Sequence, residues 1–136
     1  MFFSKSESKD DDLIKITSLL IHAAKIDENY TTKEENIIKK AMIEIGVKKE
    51  NLENLLSKAK ENEAKSVQIL DFTKEVKSMD ESNKIKIIET LWKIIYSNKE
   101  ADIFETNLMR RLGGLLYIDN NLMGKIKEKI KKENEQ

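Results

Sequence analysis

Residues 16–40 read ITSLLIHAAKIDENYTTKEENIIKK, and residues 87–111 read IIETLWKIIYSNKEADIFETNLMRR. Laid over one another at a shift of 71 positions, the two stretches align without a gap. Ile16 falls on Ile87, Leu20 on Leu91, Asp27 on Asn98, Glu34 on Glu105 and Asn36 on Asn107. The Lys39–Lys40 pair falls on Arg110–Arg111, and Leu52, Leu55 and Ala59 fall on Met123, Ile126 and Ile130. Apolar residues meet apolar residues and charges meet charges, which reads as a tandem duplication. Within each copy the apolar positions recur every three or four residues, the period of a helix with one buried face. The expected fold is all-α: about seven helices, arranged as two pseudo-symmetric three-helix units over residues 10–60 and 80–132 with a connecting helix between them.

The composition agrees with that reading. The chain has 136 residues, no proline and four glycines, so little interrupts a helix. Charged residues make up 37%, but the apolar ones are periodic, which separates the chain from disordered sequences of similar charge. A formal net charge of zero argues against a nucleic-acid binder, which needs a basic excess to neutralise phosphates. The absence of cysteine excludes disulfides and thiolate chemistry. No apolar run is long enough for a signal peptide or a membrane span. The expectation is a cytoplasmic protein with no membrane span, compatible with peripheral association at a membrane surface.

Residues 1–9 are expected to be flexible, 10–132 to form a single domain and 133–136 to be a charged tail. The spacing predicts helices over about Asp10–Ile26, Thr32–Ile45, Lys49–Lys60, Glu63–Lys77, Asp80–Tyr96, Ile103–Leu116 and Asn120–Lys132. Two overlapping capping boxes, Thr31 with Glu34 and Thr32 with Glu35, mark the second helix, and Gly46 suits its stop. Asp80, or Ser78 with Glu81, marks the fifth, and Asp119 the seventh. Gly113 and Gly114 fall inside the sixth helix, where a close crossing with another helix accounts for them better than a phosphate loop does, since no strand precedes them.

The joints between helices hold the polar positions that the two copies share. The first runs from Asp27 to Glu35 and the second from Asn98 to Glu105. Each has a short polar residue at the end of one helix and a glutamate seven residues later, in the first turn of the next. An aspartate at a helix C-terminus is disfavoured by the macrodipole, so Asp27 needs amides, a basic neighbour or a cation to compensate it. Two readings stay open: capping alone, or oxygen ligation of a hard divalent cation such as Ca²⁺ or Mg²⁺. The candidate ligands are Asp27, Glu34, Asp102 and Glu105, with Asn29 and Asn98 secondary. An EF-hand is excluded, because Thr32 stands where its loop needs glycine and Ile38 where it needs glutamate.

This arrangement resembles the TerB-like (tellurite-resistance protein B) family. That family's duplicated helical domain carries a motif of the form Ala-x-x-Asp-Gly-Glu-x-x-x-x-x-Glu after a long helix. Ala24, Asp27, Asn29 and Glu34 fill the first copy; Ile95, Asn98, Glu100, Asp102 and Glu105 fill the second. The resemblance covers nearly the whole chain. It implies an all-helical fold and an acidic cluster at the joints where metal ions are expected. Glu28 and Lys99 replace the motif's glycine, and Asn98 replaces an aspartate, changes that weaken cation binding most in the second copy.

Nothing marks out catalysis. His22 is the only histidine and reads as a half-buried packing residue, and no Ser/His/Asp or Cys/His arrangement exists. Trp92, Tyr96 and Phe104 read as core or groove lining rather than a stacking platform, and the Lys39–Lys40 and Arg110–Arg111 pairs as solvated faces. The resemblance then implies a non-enzymatic module of stress or tellurite-resistance systems that acts through a protein partner and holds, at most, a divalent cation as cofactor. The alternative is a metal-free scaffold or co-chaperone-linked adaptor that binds a helix or peptide, which an exposed apolar strip at Trp92 or Phe104 would mark.

Overall fold

The computed structural model describes the backbone over residues 2–25, 30–65, 70–97 and 103–135, and side chains over 11–25, 30–65, 73–74, 76–97 and 106–133. Among the described residues all regular structure is helical. The elements are α1 (Phe2–Ala24), α2 (Thr32–Glu44), a 3₁₀ turn (Lys49–Asn51) leading into α3 (Leu52–Lys65), α4 (Leu70–Lys77), α5 (Glu81–Tyr96), α6 (Ile103–Leu115) and α7 (Asn120–Glu135).

The helix ends follow local chemistry. The Thr31 hydroxyl accepts the Glu34 N–H while the Glu34 carboxylate accepts the Thr31 N–H, so of the two overlapping capping boxes the earlier one forms. Asp80 caps α5 by accepting the Asn83 N–H at 3.1 Å, and Asp119 accepts the Asn121 N–H at 2.8 Å at the head of α7. After α2, Gly46 at φ 115° turns the chain in the left-handed region. The Val47 N–H then reaches the Met42 carbonyl and the Gly46 N–H that of Ile43, the paired bonds of a Schellman stop. The same pair closes α6, from Ile118 to Gly113 and from Tyr117 to Gly114.

Several bounds differ from expectation. α1 begins at Phe2 rather than near Asp10; residues 2–9 hold no glycine or proline to stop a helix, although the apolar stripe starts only at Leu13. α3 runs on to Lys65, and α4 is shorter than expected, starting at Leu70. α7 continues to Glu135, beyond the expected end near Lys132.

α1 and α5 form the centre. Leu19, Leu20 and Ile21 of the first, and Ile87, Ile88, Leu91, Ile94 and Ile95 of the second, are fully buried. α1 packs against α3, α4, α2 and α5, and α5 against α7 and α2. Burial of these branched side chains is the main source of stability, at about 1.5–3 kcal/mol each before entropy is counted. The buried hydroxyls in this core are satisfied. Thr17 donates to the Leu13 carbonyl, and the Ser18 hydroxyl lies 2.7 Å from the Ile14 carbonyl and 3.2 Å from that of Ala59 on α3.

The glycine pair divides. A Cβ on Gly113 would sit 3.3 Å from Cε of Met123 on α7, so the close crossing holds there; a Cβ on Gly114 would meet nothing within 4 Å.

Candidate functional site: a charged cleft at the first joint

The described part of the first joint, Tyr30 to Glu35, lies at the head of α2 beside the end of α1 and the last turns of α3. Glu34 is 1% exposed. Its Oε1 accepts the Thr31 N–H at 2.8 Å and the Thr31 hydroxyl at 3.0 Å. Its carboxylate is thus fixed in place by the capping box, and capping is a role the structure assigns to it outright.

Thr31 forms part of the wall of a cleft of about 300 Å³. The charged groups around this cleft are Lys25, Glu35, Lys60 and Glu63, with Tyr30 beside them. The Lys60 ammonium meets Glu35 Oε1 at 2.5 Å, and the Tyr30 hydroxyl donates to the same oxygen at 3.2 Å. Lys39 stands 4.0 Å from Glu35 Oε2 and 2.9 Å from Glu53. On the opposite wall, Lys25 donates to Glu63 Oε2 at 2.7 Å, while His22 Nδ1 lies 3.4 Å from Glu63 Oε1.

The electrostatics follow from these contacts. The Lys60 hydrogen bond holds the Glu35 carboxyl below the ordinary range, against the opposing effect of its partial burial. Burial first, and then the neighbouring Glu35 charge, push the Tyr30 phenol well above its ordinary value, so Tyr30 remains a neutral donor. The hydrogen bond to Glu53 raises the Lys39 ammonium.

Of the expected ligands, Glu34 is the one whose side chain is described. Glu105 lies in the first turn of α6 with its side chain outside the described residues, and Asp27, Asn29, Asn98 and Asp102 lie outside them altogether. Among the described residues no three His, Asp or Glu side chains come together as a metal site. Glu63 is a functional candidate that the repeat did not flag, because it falls beyond the repeated region. A signal was present, however. Leu55, Ala59 and Glu63 are spaced four apart, so the carboxylate continues the buried stripe of α3, and it is 8% exposed.

The remaining candidates are structural. Trp92 and Tyr96 are 3% and 5% exposed and stack with ring centroids 5.7 Å apart, so Trp92 does not line a groove; the side chain of Phe104 lies outside the described residues. His22 is partly exposed and faces Glu63. Lys39 is held by its two glutamates, whereas Arg110 and Arg111 are exposed.

The described residues define an all-helical class of protein, and comparison with known proteins identifies it. The family model described as tellurite resistance protein TerB matches residues 13–128, and the chain belongs to that family. No curated protein and no solved structure matches it significantly. Among the described residues no helix is long and apolar enough to cross a membrane.

Proposed function

We propose that this protein is a non-enzymatic TerB-type binding module of the cytoplasm, acting through a protein partner in stress or tellurite-resistance systems. Its first joint holds a divalent cation, with Asp27 and Glu34 as leading ligands and Asn29 secondary. Asp102 and Glu105, with Asn98, form the weaker counterpart at the second joint, where Lys99 opposes a cation.

The observation that carries this reading is the carboxylate content of one end of the bundle. Glu35 and Glu63 line a single cleft, and the buried Glu34 sits behind its Thr31 wall, fixed at the head of α2. Lys25 and Lys60 are the resident counter-charges there. A preset carboxylate loses little freedom on binding, which favours a hard cation at an oxygen-rich site. The metal-free adaptor with a groove at Trp92 is less well supported, because that ring is buried.

Calorimetric titration with Ca²⁺, Mg²⁺ and Zn²⁺ tests the reading. Asp27→Ala removes a proposed ligand. Glu34→Gln keeps the capping box, which glutamine also supports, but removes the charge. Binding to wild type that is lost in both variants is the expected result. No heat and no thermal shift in wild type at millimolar cation would overturn the cation site.

A further inference from the structure

Two lysines already hold the carboxylates of the first-joint cleft. On one wall the Lys60 ammonium meets Glu35, and on the other Lys25 meets Glu63 at 2.7 Å. Both pairs are unequally exposed in the same sense. By side chain, Lys60 and Lys25 are 45% and 44% exposed, and their partners Glu35 and Glu63 are 25% and 9% exposed. A lysine can swing its ammonium into water on a flexible four-carbon stem. The shorter, more deeply set carboxylates stay at the cleft.

Stability does not account for these pairs. Half-exposed ion pairs add little to it, and setting Glu63 in a buried place has a desolvation cost that its lysine offsets only in part. The other copy does without them. In the register that overlays the two stretches, Lys25 falls on Tyr96 and Glu35 on Thr106. Tyr96 is 5% exposed and stacks on Trp92, so the fold accepts a packed, uncharged side chain at that place. The ion-paired set therefore belongs to the first joint and not to what the two copies share.

We propose that Lys25 and Lys60 are built-in competitors for the cation site: they hold its carboxylates while it is unloaded, and a divalent cation binds by displacing them into water. This rests on the cation site proposed above and adds how that site is regulated. The exchange conserves charge, since two ammonium groups leave and one doubly charged ion enters. It also keeps Glu35 and Glu63 paired in both states, so neither state leaves a bare carboxylate in a partly buried cleft. The lysines thereby set the affinity, because their displacement is part of every binding event.

Calorimetric titration of the full chain with Ca²⁺ and with Mg²⁺ tests this on wild type and four variants. Lys60→Met and Lys25→Met keep a stem of similar length and remove the ammonium, and each should raise affinity about tenfold. Lys60→Arg keeps the charge and grips a carboxylate with two donors, so it should bind the cation no better than wild type. Lys58, exposed on the same helix as Lys60, controls for the loss of overall charge, and Lys58→Met should change affinity by less than about twofold. At equal cation concentration the thermal midpoint should rise further in Lys60→Met than in wild type, which reads the same gain without calorimetry. If wild type binds and the two methionine variants bind equally or more weakly, displacement is overturned and the cation site stands. A gain in Lys58→Met as large as in Lys60→Met also overturns displacement. Binding in the methionine variants but not in wild type supports the competition and overturns a cation site in the wild-type protein. No binding in any of them overturns both.

Discussion

The Lys33 ammonium donates to the Ser97 carbonyl across 3.2 Å. This bond ties the second residue of α2 to the residue that ends α5, so the edges of the two joints are held together although 64 residues separate them in sequence. It also gives one of the orphan carbonyls at the end of α5 a cationic donor, which the helix dipole favours. Lys33→Met should therefore lower stability by about 0.5–1 kcal/mol and speed amide exchange in the last turn of α5. Urea denaturation and hydrogen exchange check this; exchange at that turn identical to wild type would remove the tie from the account.

The Lys25–Glu63 pair predicts an asymmetry. Lys25 is 44% exposed and Glu63 9% by side chain, so the lysine can return to solvent and the glutamate cannot. Lys25→Ala should cost about 1–2 kcal/mol, after allowance for screening at the exposed partner, and Glu63→Gln less than about 1 kcal/mol. Equal costs in chemical denaturation would show that Glu63 is better hydrated than its burial indicates.

Glu35 sets a dependence on acid. Its folded pKa lies below the ordinary 4.5, chiefly through Lys60. The stability it contributes is present above pH 4.5 and is lost as the pH falls through the lowered value. Wild type and Glu35→Gln should differ in urea midpoint at pH 7 and converge toward pH 3. Parallel curves over that range would mean that the pair with Lys60 adds nothing.

At the alkaline end the sign reverses in pH. Tyr30 has its pKa raised above 10.0 by burial and by Glu35, so its contribution is intact below pH 10 and declines above it. Ultraviolet titration should find a component ionising later than free tyrosine that Tyr30→Phe removes.

The glycines of α6 and α7 give a third contrast. Gly114→Ala and Gly124→Ala place a methyl group in open space and should stabilise by up to about 1 kcal/mol each through helix propensity. Gly113→Ala brings its Cβ to 3.3 Å from the Met123 methyl, so it should gain less or nothing. Thermal midpoints of the three variants decide this, and an equal gain at Gly113 would show that Met123 moves aside freely.

Much of the fold was legible because its signals are local. Thr31 and Glu34, Asp80, Gly46 and Asp119 announce helix ends through chemistry that acts within a few residues. The stripes through Leu13, Ile16, Leu20, Ala23 and Ala24, or Leu91 and Ile95, announce which faces turn inward. The cleft was not legible, because Glu63 meets Lys25 across 38 residues. Periodicity shows that a side chain points inward but not what stands opposite. The start of α1 at Phe2 is not legible for a related reason: helix can extend over residues that carry no apolar stripe, provided nothing interrupts it.

Trp92 is the chain's single tryptophan. It lies buried on α5, its indole N–H has no partner among the described residues, and Lys127 of α7 sits 5.4 Å from the ring. The molecule thus carries one indole fluorophore, at one helix pair. Its emission will be blue-shifted while α7 is docked and will move to the red when α7 lifts, so it reads that interface in isolation. Events confined to the cleft at the first joint will leave the tryptophan emission unchanged, and following them falls to Tyr30, which lines that cleft.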